Sequence, residues 1–101
     1  MATSVIHQPR VAWDGARAFV AAACGPDYDA FAGRVDGRLG DDIHDELTRT
    51  HDRILTDWQR SGGDRRVTDI ELGRWRVRLD ELLRTHPELT ETLRELIVTT
   101  R

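Results

Sequence analysis

Thr68-Asp69-Ile70-Glu71-Leu72-Gly73-Arg74-Trp75-Arg76-Val77-Arg78-Leu79-Asp80-Glu81-Leu82-Leu83-Arg84 is the stretch that decides the fold. Leu72, Trp75, Leu79, Leu82 and Leu83 recur at steps of three and four, the period of a helix and not the alternation of a strand. Thr68 and Glu71 stand three apart in the pattern of a capping box, so the spacing predicts a helix from near Asp69 to about Arg84. Ile70 and Val77 lie on the other side of that helix, with Gly73 beside them and Arg74, Glu81 and Arg84 along the edge. A helix with two apolar faces has two explanations. It is the centre of a monomeric bundle, touched from both sides, or its second face is an interface with another molecule.

Downstream, Thr85 and Glu88 repeat the capping-box spacing around Pro87, which predicts a further helix from His86 to about Thr99 burying Leu89, Leu93, Leu96 and Ile97. Upstream, Asp41 or Asp42 can cap a helix whose stripe is Ile43, Leu47, Ile54 and Trp58, with Leu55 at its edge and Ser61-Gly62-Gly63 as its stop. Before that, Tyr28, Phe31, Ala32, Val35 and Leu39 form a narrow stripe behind Pro26, which suits a first helical turn. Gly33 and Gly37 face away from this stripe, and each weakens the helix unless another backbone comes close. The earliest helix carries Trp13, Ala16, Phe19, Val20, Ala23 and Cys24 on one side and stops at Gly25-Pro26. The expected fold is therefore all-α, a small antiparallel bundle of four to five short helices. Residues 1–10 are expected to be a flexible N-terminal arm and residues 11–101 a single helical domain.

At 101 residues, 39% hydrophobic and 33% charged, the chain has the composition of a small globular domain. Its longest uncharged run, Ala18 to Pro26, is far too short to span a bilayer, and Met1 to Arg10 lacks the basic start and apolar stretch of a signal peptide. No membrane association and a cytoplasmic location are the default expectations. The lone Cys24 cannot form an internal disulfide and is expected to be buried as a small apolar residue. A net charge of −3 argues against a general nucleic-acid binder. The charge is unevenly spread: Asp27 to Asp57 holds nine acids against four arginines, whereas Trp58 to Arg84 holds seven arginines against five acids.

No residue pattern points to a catalytic centre, a cofactor or a metal. His44 and His51 are two helical turns apart, not the three or four residues of paired helical ligands, and read as histidines at the edge of a core. Arg65, Arg66, Arg74 and Arg78 around Trp75 are the candidates for contacting a nucleic acid. Trp75 itself falls in the core stripe, however, and Asp69, Glu71, Asp80 and Glu81 are close enough in sequence to neutralise these arginines. A small helical enzyme with arginines gathered around an anionic substrate is a third class, but no arginine falls on an expected core face.

Leu-Thr-Arg-Thr-His-Asp-Arg-Ile-Leu from Leu47, Gly-Arg-Trp-Arg-Val-Arg-Leu-Asp-Glu-Leu-Leu from Gly73, and the later His-Pro-Glu-Leu and Leu-Arg-Glu-Leu together resemble short, mostly uncharacterised all-helical proteins of actinobacteria, over about residues 41–98. All fifteen basic residues are arginine, in keeping with a genome of high G+C content. The resemblance implies a helical hairpin in the last 60 residues and no catalytic residue. The leading functional expectation is a non-catalytic interaction or accessory module, self-associating or docking on a larger protein through Ile70, Gly73, Val77, Gly33 and Gly37. The alternative is a small nucleic-acid-binding regulator using the arginine-rich helix.

Overall fold

Small side chains decide which helix lies at the centre. The structure, a computed structural model, describes residues 8–63 and 65–99, and these form five α-helices with no strand among the described residues: α1 (Gln8–Cys24), α2 (Tyr28–Leu39), α3 (Asp41–Ser61), α4 (Arg65–Thr85) and α5 (Leu89–Thr99). The all-α bundle expected from the periodicity is what the chain adopts. Its central member is α1, which packs against all four others and most extensively against α4. The face of α1 turned to the core carries Ala12, Gly15, Ala16 and Ala23 around the larger Phe19, so neighbouring helices approach closely. A Cβ placed on Gly15 would lie 2.9 Å from Leu79 Cδ1 of α4 and 3.2 Å from Leu93 Cδ2 of α5. The contact face is centred on Ala12 and Phe19, which leaves Trp13 at its margin, 37% exposed, instead of in the core stripe where the wheel placed it.

The core closes around Phe19, whose ring meets Phe31 edge-on at 5.2 Å and Trp75 at 4.8 Å between centroids. Ile43, Leu47, Leu79, Leu83, Leu93 and Leu96 complete it, all fully buried. Leu89 only borders this cluster, because α5 starts with it, three residues after the expected start at His86. Between α4 and α5 the hairpin is indirect: α5 lies on α1 and α2, and both Leu79 and Leu93 reach the same glycine of α1.

The helix starts differ from the expected ones for reasons of hydrogen bonding. Thr68 is already inside α4, where its hydroxyl donates to the Arg65 carbonyl (2.8 Å), so the expected capping box is not formed and the helix begins a turn earlier. Thr85 likewise ends α4, donating to the Glu81 carbonyl (3.0 Å). Gly40 takes the cap position of α3, which puts Asp41 and Asp42 in the first turn, where carboxylates complement the positive end of the helix. Pro26 stays in the turn, and α2 starts at Tyr28. Of the expected arm, Gln8, Pro9 and Arg10 form the first turn of α1, and residues 1–7 lie outside the described residues.

The bundle measures 53 × 24 × 24 Å. Within it, α1 ends level with His51, whose Nδ1–H donates to the Ala23 carbonyl (3.0 Å). The ten residues of α3 beyond His51, about 15 Å at the helical rise, run past that end. The first turns of α4 run alongside this segment and keep Ile54 in the core, but Leu55 and Trp58, which the sequence pattern placed beside and on the buried stripe, point away from it and are exposed. The α3–α4 turn is made by Gly62 at φ +78°, whose N–H donates to the Trp58 carbonyl (2.9 Å), and Gly63 at φ +101°. The Trp58 ring lies over this turn, so close that a Cβ on Gly63 would come within 2.9 Å of it.

Gly33 and Gly37 have open space where a Cβ would stand. In helical backbone with nothing to clash, Gly33→Ala and Gly37→Ala are each expected to raise stability by about 0.5–1 kcal/mol, read as a higher midpoint in urea unfolding.

Candidate functional site

Two polar side chains on α3 and two on α4 build the interior tie that holds these helices in register. Thr50 is 1% exposed and Glu71 2% exposed. The Trp75 indole N–H donates to Thr50 Oγ1 (2.8 Å), and the Thr50 hydroxyl donates to Glu71 Oε1 (3.2 Å). Arg53 grips the same carboxylate with two prongs, Nε to Oε2 and Nη2 to Oε1, both 2.8 Å. Donors and acceptors therefore match along the whole chain: an indole that only donates, a hydroxyl that does both, and a carboxylate that only accepts. Arg74, one turn along α4, adds a longer contact at 3.8 Å.

Burial by itself would push the Glu71 carboxyl above its ordinary value. The Arg53 hydrogen bonds and charge, with help from Thr50 and Arg74, outweigh burial and hold it below 4.5. The native state thus binds fewer protons than the unfolded chain in this range. Its contribution to stability is complete above the ordinary glutamate value and is lost as pH falls through the depressed native value. Wild-type protein is accordingly expected to lose more stability than Glu71→Gln between about pH 5 and pH 3, measured as the shift in urea midpoint.

With its inner face occupied in this way, α4 turns a second face outward. Ile70 is 55% exposed and Val77 60% exposed, and a Cβ on Gly73 would meet nothing within 4 Å. Seven residues separate Ile70 from Val77, about two turns and 10.5 Å, so the two side chains form one short apolar stripe with the glycine between. The fork left open by the sequence is thereby decided as to burial: α1 is the surrounded helix, and the outer face of α4 is not covered by any described residue of the chain. Beside it, Thr56, Val67, Ile70 and Arg74 line a shallow groove of about 430 Å³ between α3 and α4, with Arg53 and Arg60 at its rim. The other half of the expected interface, Gly33 and Gly37, lies on α2, which packs on α3, α5 and α1, so these glycines do not join the α4 stripe in one surface.

The four arginines proposed for nucleic acid do not form one free basic patch. Arg78 donates to Glu46 Oε1 at 2.7 Å and approaches Glu81 at 3.9 Å, while Arg74 faces Glu71. Arg65 and Arg66 are exposed at the start of α4. His51 stacks flat on Tyr28, 3.8 Å between centroids, and the Tyr28 hydroxyl donates to Thr48 (3.4 Å), so this pair ties the start of α2 to α3. Among the described residues no group of three or more His, Cys, Asp or Glu side chains is placed to hold a metal ion, and no helix is long and apolar enough to cross a membrane.

Cys24 is exposed, a correction to the expected burial: it is the last residue of α1 and falls beyond the helix's contact face. Partial burial of its sulfur nevertheless pushes the thiol above its ordinary value. The larger groove, about 550 Å³, lies between α1 and α2 and is lined mainly by small side chains with Phe31 and Arg34. Arg34 Nε is buried there without a hydrogen-bond partner, and Asp27 and Thr99 are the other polar residues that line the groove.

The residues that sequence reasoning missed are Thr50, Arg53 and the interior role of Glu71. One signal was available: Thr50 stands three residues after Leu47 and four before Ile54, a polar residue inside an apolar stripe. Compared with known protein families, curated proteins and solved structures, the chain has no significant match in any of the three.

Proposed function

We propose that the chain is a non-catalytic protein-interaction module that binds through the outer face of α4, taking a partner that offers a narrow apolar helix flanked by charges. The observation that carries this reading is the exposure of Ile70 and Val77 on a helix whose opposite face is fully committed to the core. What sets this pair apart from single exposed apolar residues is that Ile70 and Val77 share one helix face, with Gly73, which weakens the helix and has open space around it, between them. The mutually satisfied Thr50–Glu71–Arg53–Trp75 network supports the same view, since its donors and acceptors are already spent on one another.

The test uses the wild-type chain and an Ile70→Glu/Val77→Glu variant. Both substitutions fall on exposed positions and are expected to leave helicity and the unfolding midpoint unchanged. Each protein is titrated against purified candidates, namely a second copy of the chain and any protein enriched on the wild-type chain and lost from the variant. The reading predicts at least one purified protein that binds wild type and binds the variant at least tenfold more weakly. It is wrong if no purified protein distinguishes the two.

A further inference from the structure

We infer that the partner for the outer face of α4 is a second copy of the same chain, packed antiparallel about a two-fold axis passing beside Gly73 and Arg74. This rests on the reading of α4 as an interaction face and goes on to name its occupant and register. The argument is one of charge and shape. When two identical helices meet antiparallel about that point, Ile70 comes opposite Val77 of the other copy, and the two apolar pairs flank the axis. Gly73 lies at the crossing, where the absence of a side chain and the open space around it let the backbones approach. Arg66, one turn before Ile70, comes opposite Glu81, one turn after Val77, and symmetry makes this pairing twice.

The parallel arrangement fails on the same residues. It sets Arg66 against Arg66, Glu81 against Glu81 and Arg84 against Arg84, so every flanking charge meets its like. It also aligns the two helix dipoles unfavourably. Antiparallel packing removes both penalties. Arg74, nearest the axis, already faces the Glu71 carboxylate of its own chain at 3.8 Å, which tempers its repulsion from the second Arg74.

From Arg66 to Glu81 the contact is about 22 Å long, one helix wide. A contact one helix wide sits at the small end of protein–protein interfaces, so the dimer is expected to be a weak, reversible one. The apolar stripe supplies the attraction, and the Arg66–Glu81 pairs, exposed and screened by salt, select the register.

Sedimentation velocity and light scattering on the full chain, from about 5 to 500 µM, read the association directly. The expected result is a reversible monomer–dimer equilibrium. Ile70→Glu/Val77→Glu and Gly73→Leu each weaken it at least tenfold, while circular dichroism and the unfolding midpoint at low concentration show the fold retained. The register is tested by charge exchange. Arg66→Glu and Glu81→Arg each weaken the dimer several-fold, and the double variant Arg66→Glu/Glu81→Arg restores it.

A dimer indifferent to Ile70, Gly73 and Val77 would overturn the proposal, as would a double variant no better than either single one. A strict monomer at 500 µM also overturns it. If a different purified protein then binds wild type and not Ile70→Glu/Val77→Glu, only the identity of the partner was wrong. If none does, the broader reading falls with it.

Discussion

Glu71→Ala is expected to cost about 3 kcal/mol of stability, a large share of the 5–15 kcal/mol typical of a domain, and to lower the melting temperature by about 10–20 °C. Glu71 is 2% exposed, and its carboxylate receives the Thr50 hydroxyl and both prongs of Arg53. Removing it leaves a cavity beside Thr50 and takes away the acceptor for three donors. The loss stays below the 5 kcal/mol upper end for broken buried pairs, because the Arg53 side chain is 42% exposed and can return to water. Glu71→Gln keeps the volume but removes the charge and turns an amide donor toward the Arg53 fork, so it should fall between wild type and Glu71→Ala. Thr50→Val, which orphans the Trp75 indole N–H, should cost about 1–3 kcal/mol. Because these residues share partners, the Thr50→Val/Glu71→Ala double variant should lose less than the sum of the singles. Urea titrations on the four variants measure all of this.

Gly15→Val is expected to cost a similar amount, about 3 kcal/mol, at the upper end of the usual cost of overpacking a core. The reason is contact distance. A Cβ at position 15 would stand 2.9 Å from Leu79 Cδ1 and within 3.3 Å of both Leu93 methyl carbons, and Leu79 and Leu93 are themselves fully buried. The leucine ends have nowhere to turn, so α4 and α5 must move outward from α1. Gly15→Ala adds one carbon and gains up to about 1 kcal/mol of helix propensity, so its net loss should be much smaller. The contrast with Gly33→Ala and Gly37→Ala, where no atom lies in the way and stability should rise, makes the set internally controlled.

Five helices were legible in the sequence because each apolar stripe repeats at helical steps and a glycine or proline interrupts every pair of them. Their order of importance was not legible. α1 is the central helix on the strength of Ala12, Gly15 and Ala16, and small residues contribute little to a hydrophobic pattern even when they let the closest packing occur. Capping boxes misled for a related reason. Thr68 and Glu71 have the right spacing, but the same spacing inside a helix lets Thr68 bond back to Arg65 and points Glu71 across to Thr50 and Arg53. That reach across to α3 depends on the relative placement of two helices, which no local spacing encodes.

For the candidate site the sequence named Ile70, Gly73 and Val77 together, and these three do share one open face. It could not separate a face covered by the chain's own helices from one left open, because that depends on which helix becomes the centre. Gly33 and Gly37 were grouped with them only by residue type, and α2 carries them elsewhere.

The central claim is that α4 has a core face and a separate association face, and isoleucine δ1-methyl NMR tests it most directly. Ile70 reports the outer face of α4, while Ile43 and Ile54 report the core of the same molecule. On dilution from about 500 to 5 µM, the account predicts a progressive shift of the Ile70 methyl with Ile43 and Ile54 unchanged. An Ile70 methyl that stays fixed on dilution and on addition of every purified candidate partner, or one that moves only together with Ile43 and Ile54, would contradict it.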